Sequence, residues 1–112
     1  MNTLSKQPKS EQVVQYISVF FQSLIKSKAG KELTESHERE AMRRREAMPS
    51  HHHYMIQPIL DRAEYFRNQY KLEKARLMDI LNKEGFRFKQ DYDFEQAGAL
   101  DFTCLELLIE RV

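Results

Sequence analysis

Between Pro58 and Glu84 apolar side chains recur every three or four residues, and this stripe constrains the fold more than any other feature. Ile59, Ala63, Phe66, Tyr70, Leu77 and Ile80 share one helical face, interrupted at Glu73, and Leu60 and Leu81 broaden its two ends. Pro58 suits the first turn, where its missing N–H has no intrahelical acceptor to lose, and Asp61 follows close behind. At the far end Gly85 can take the left-handed position after the helix, which sets Phe86 against Leu81. Such a helix is roughly 40 Å long at about 1.5 Å per residue, more than the width of a domain this size. Part of it should therefore project, bend or meet another chain.

Two further segments have helical character. Ser10 is placed to cap a helix over 10–29, with Glu11 in the first turn, where the helix dipole favours an anion. Val13, Ile17, Phe20 and Leu24 form its apolar face, Val14, Phe21 and Ile25 widen it, and Lys26 and Lys28 stand in its last turn. Gly30 suits the residue just past its end. The stretch from Thr34 to Met48 has high helix propensity, but only Ala41, Met42, Ala47 and Met48 are apolar. Glu35 precedes Arg39 and Glu40 precedes Arg44 by four residues, the better orientation for helical ion pairs. This reads as a separate, exposed helix that ends at Pro49. Ser50 can cap a short turn over the following 49–57 segment. Residues 1–9, polar and containing Pro8, read as a flexible tail ahead of a single helical domain over 10–112.

The C-terminal segment supports two readings. Phe86, Phe88, Tyr92 and Phe94 alternate as in a half-buried strand, and residues 95–99 look like a turn. Beyond it, Phe102, Leu105, Leu108, Ile109 and Val112 fall on one side of a helix, with Asp101 as its cap and Leu107 as the misfit. A helix is the better fit. The expected class is accordingly mainly α, a small helical domain with one long central helix. The alternative is α+β, with a C-terminal β-hairpin pairing 86–94 with 102–111.

Composition closes off several functions. Seven Phe and five Tyr within a 41% hydrophobic chain argue against disorder, which needs low hydrophobicity and few aromatics. A net charge of +1 provides no global field for nucleic acid or an acidic membrane. A single cysteine, Cys104, fits a reducing compartment, and the opening residues have no apolar core of a secretory signal, so the cytoplasm is the expected location. No apolar run approaches the ~20 residues that span a bilayer, so no membrane association is expected.

Candidate chemistry is sparse. His51, His52 and His53, with His37 as a fourth, are the most conspicuous metal-like cluster, and His51, His53 and His37 are its weak candidates. Zinc usually takes ligands spaced so that both reach one ion, whereas adjacent histidines point apart, so a solvated loop is the plainer reading. Arg43, Arg44 and Arg45 are the candidate phosphate contacts, but on a helix they fan around the axis, and Glu40 and Glu46 flank them. Cys104 lies among apolar residues without the basic neighbours a reactive thiolate requires, and Asp91 and Asp93 read as a polar strand face or loop edge. The three glycines form no phosphate-cradling or nucleophile-elbow motif.

These observations lead to a non-enzymatic helical protein–protein interaction module of unknown specific role. It would self-associate, as a homodimer, or bind a protein partner, without a cofactor or small-molecule ligand. Phe66, Tyr70, Glu73 and Leu77 are its expected interaction residues, with Glu73 as a polar residue able to set register or partner at a seam. The alternative is a nucleic-acid-binding regulatory protein using basic helix faces: Arg43–Arg45 together with Lys71, Lys74 and Arg76.

Overall fold

The computed structural model describes residues 11–112, apart from the side chain of Phe102; the expected tail over 1–9 and the Ser10 cap lie outside the described residues. Two long helices dominate, α1 (Glu11–Glu46) and α2 (Gln57–Glu84), joined through a 3-10 turn at Ser50–Met55. A short C-terminal region follows, with strand β1 (Phe86–Phe88), a single α turn, α3 (Leu105–Leu108), and strand β2 (Ile109–Arg111). The chain is mainly α, with two long helices where one was anticipated and a small antiparallel sheet at its C-terminal end. It divides into two compact units. One, the capped unit, joins the described residues up to Ile25 to Glu73–Val112; the other, the hairpin unit, is Lys26–Leu72.

In the capped unit the core is large and apolar. Ile17, Phe21 and Leu24 from α1, Leu77 and Leu81 from α2, and Phe86, Leu105 and Ile109 from the C-terminal region are all buried. Gly85 turns the chain out of α2 with φ 84°, a conformation that L side chains rarely adopt. Phe86 follows it into the core as anticipated.

The strand begun at Phe86 stops at Phe88 rather than running to 94. The Tyr92 amide donates to the Lys89 carbonyl at 3.0 Å, and the Asp93 carboxylate accepts from the Glu95 amide at 2.9 Å, local bonds that compete with a ladder. The alternating aromatics instead gather around Phe21, with ring centroids 5.4 Å from Phe88 and 6.2 Å from Tyr92. Phe88 and Tyr92 stack at 5.1 Å, and Tyr92 Oη donates to Asp101 at 2.9 Å.

The anticipated C-terminal helix is also cut short. A 3-10 turn over Asp101–Cys104 and the single turn of α3 give way at Ile109 to extended backbone. β2 then pairs antiparallel with β1 in the register Phe86↔Arg111, Arg87↔Glu110, Phe88↔Ile109. A helix continued to residue 112 would leave the β1 backbone without these partners, and buried main-chain groups are seldom left unpaired. Val112, read as part of the buried side, is exposed, whereas Leu107, the misfit, is exposed as its position required.

The hairpin unit is held differently. α1 does not stop at Gly30; the two separate helices anticipated over 10–29 and 34–48 are one. The reason is steric. A Cβ at Gly30 would lie 2.7 Å from the Phe66 ring, so the glycine serves close helix–helix approach rather than a helix end. Ser27, Thr34 and Ala41 follow the same three-and-four spacing and are buried, as are Ile56, Ala63 and Tyr70 on the returning side. Thr34 Oγ1 turns back to the Gly30 carbonyl at 2.8 Å, which lets a hydroxyl sit in the seam without loss of a hydrogen bond. The 34–48 stretch is therefore more than an exposed helix. Its small residues, poor in apolar area, are what allow the close approach.

Candidate interaction surface

The hairpin unit has two unlike sides. On one, Arg67 of α2 forms a fork with Glu38 of α1, Nη1 to Oε1 at 2.7 Å and Nη2 to Oε2 at 3.0 Å, and reaches Glu35 at 3.3 Å. Lys31 extends the network to Glu35 at 3.2 Å and places its ammonium 5.6 Å from the centre of the Tyr70 ring. The hydrogen bond from Arg67 holds the Glu38 carboxyl below the usual glutamate range, against the opposing effect of its partial burial. Hydrogen bonds to Glu38 and then Glu35 likewise raise the Arg67 guanidinium. Charge closes this side of the seam.

The other side is open and largely apolar. Thr34 and His37 from α1 and Pro58, Ile59 and Arg62 from α2 line a groove of about 290 Å³. Arg62 lies over the half-buried Phe66 ring, 5.5 Å from its centre, and Tyr65 meets Phe66 edge-on at 5.3 Å. Tyr65 is 60% exposed and Ile59 37%. Leu33, one helical turn before His37, is 59% exposed. Aromatic side chains and arginine are the residue types that carry most binding energy at protein interfaces. This surface combines a groove with exposed aromatic and arginine side chains.

The sequence-derived candidates fall in several places. Phe66 borders this surface, but Tyr70, Glu73 and Leu77 are buried within the chain, so their area is already used internally. Glu73 accepts hydrogen bonds from Ser23 and, at 3.0 Å, from Arg76. It is a paired carboxylate in the seam of the capped unit, with no partner surface of its own. The 40 Å helix argument for an outside partner also weakens, because α1 continues to Glu46 and the hairpin unit places it against α2.

Arg43 and Arg44 both hydrogen-bond Glu40, whose carboxyl they lower and which raises Arg43; Arg45 points toward His53 at 3.4 Å. Two of the three guanidinium groups are thus already matched to a carboxylate. His51, His52 and His53 lie in the 3-10 turn, and His53 contacts the Met48 carbonyl at 3.3 Å. His37 lines the groove instead. Among the described residues no three histidine, cysteine or acidic side chains gather as a metal site would require. No described helix is long and apolar enough to cross a membrane.

Ile59 was read from sequence as part of the α2 stripe but not as an interaction residue, and Arg62, Tyr65, Leu33 and the groove position of His37 were not singled out. The stripe that carries Ile59 and Phe66 was legible; the rest depends on which face of α1 meets which face of α2. Compared with known protein families, curated proteins and solved structures, the chain matches none.

Proposed function

We propose that the chain is a non-enzymatic helical protein-interaction module whose contact surface is the open side of the hairpin unit. The observation that carries this reading is the asymmetry of that unit. One side of the seam is closed by the Lys31–Glu35–Arg67–Glu38 network, while the other presents Ile59, Tyr65 and Phe66 around a groove. Exposed aromatic side chains cost little conformational entropy to order and bury large areas when covered. Site-specific crosslinking tests this. A photoreactive phenylalanine analogue at Tyr65 should give a discrete protein adduct in expressing cells, abolished by Ile59→Glu. The same analogue at Leu107, exposed but in the other unit, should give none. Equal adducts from both positions, or none from Tyr65, would refute the assignment.

A further inference from the structure

Resting on that reading, we infer that the groove's occupant is an amphipathic helix of another protein carrying a carboxylate among its apolar side chains, which Arg62 reads. Both arms of the groove are α-helical, so their backbone groups are already bonded within each helix. No strand edge is offered there to an extended peptide. Recognition then rests on side chains, and a groove between two helices suits the helix-in-groove mode, in which the partner's backbone is already bonded within its own helix.

The charge on the groove is one-sided. Its lining contains His37 and Arg62 and no acidic residue. Cations elsewhere along the seam of this unit have carboxylate partners: Lys28 pairs with Glu32, Lys31 with Glu35, and Arg67 with Glu35 and Glu38. Arg62 ion-pairs with no carboxylate among the described residues. Its guanidinium is instead held over the Phe66 ring at 5.5 Å. Stacking engages the flat face of a guanidinium and leaves its in-plane N–H groups to fork onto a carboxylate. A second copy of this chain fits less well. In a two-fold contact made by this groove alone, residues of the lining meet residues of the same lining, which holds no acid to answer Arg62.

The test is selection from a displayed library of helix-forming peptides, with a fixed apolar stripe and randomised polar positions, panned on the full chain and on Arg62→Glu. The wild type should enrich Glu or Asp at one position beside the stripe, and Arg62→Glu should enrich Lys or Arg there. Binding of the selected acidic peptide should fall at least about tenfold in Arg62→Glu, the scale of a lost charge-assisted contact. It should fall less in Arg62→Lys. Arg62 is exposed, so helical circular dichroism should be unchanged in both variants. Enriched peptides without acidic preference, still lost on Ile59→Glu, would overturn the role of Arg62 and leave the contact surface standing. A micromolar homodimer in sedimentation, dissociated by Ile59→Glu, would overturn the choice of partner but not the surface. No enrichment over background on either protein would overturn both.

Discussion

The two units of this chain use the same two helices to reach different kinds of stability. In the capped unit the seam is built from Ile17, Phe21, Leu24, Leu77 and Leu81, sealed by a C-terminal region that adds Phe86, Leu105 and Ile109. In the hairpin unit Ser27, Thr34, Ala41 and Ala63 occupy buried positions beside Ile56 and Tyr70, and the unit itself consists only of parts of the two helices and their turn. Large apolar side chains stabilise by removing area from water, whereas small ones contribute by letting backbones approach and polar partners meet. The difference teaches where function can reside. The helix pair of the hairpin unit has no C-terminal region within that unit, and one side of its seam carries a groove lined by both helices.

The comparison would break first at the large residues. Leu77→Ala should destabilise the protein by about 3 kcal/mol or more, because it removes transfer energy and leaves a cavity in a fully buried site. Chemical denaturation measures this. A loss below about 1 kcal/mol, in the range of volume-conserving swaps, would mean that the capped unit is not the tightly packed one.

Gly30 provides the next test, in the hairpin unit. A valine there would meet the Phe66 ring and should cost about 2 kcal/mol, since overpacking and a β-branched residue in a helix act together. Removing the obstacle with Phe66→Ala should make the double variant less than additive. Strict additivity would show that Gly30 and Phe66 are not in close contact.

The ion-pair network should matter less than either. Arg67→Ala is expected to cost about 1 kcal/mol, more than an isolated surface pair because the fork to Glu38 is partly buried and shared with Glu35. The sign of its pH dependence follows from Glu38, whose carboxyl is lowered in the folded chain. Its contribution is complete above the ordinary glutamate range and is lost as the pH falls through that range and below. Thermal melts should therefore show acid destabilisation that Glu38→Gln diminishes. An unchanged acid limb in Glu38→Gln would remove Glu38 from the account.

The smallest effect is expected at Arg43, Arg44 and Arg45. These side chains are exposed, so replacing all three with alanine should leave the denaturation midpoint nearly unchanged. A large loss of DNA or RNA binding by that triple variant in a salt titration would favour the basic-face reading instead.

Much of the capped unit could be read along the chain because its signals are strong and local. Ile17 and Leu24, and Leu77 and Leu81, recur at helical spacing, and Gly85 announces the end of α2. The hairpin unit was harder to read. Gly30 has the same local appearance whether it ends a helix or admits a neighbour, and only Phe66, 36 positions away, distinguishes the two. Thr34 and Ala41 carry too little apolar area to register as a core face. The same difficulty hid the candidate surface, since His37 and Arg62 come together only once the two helices are paired.

The sequence by itself determined the helical class, the positions of α2 and its ends, and the absence of any local catalytic motif. Each follows from periodicity, turn chemistry or residue spacing within a few turns of chain. Tertiary structure alone decided that α1 is continuous through Gly30 and that residues 109–111 form a strand against 86–88. It also decided that Glu73 is buried against Ser23 and Arg76 while Arg62 is exposed over Phe66. The physical reason is the same in every case. A glycine, an isoleucine, a carboxylate or a guanidinium has several acceptable local states, and the choice among them is made by the atoms that long-range packing places beside it.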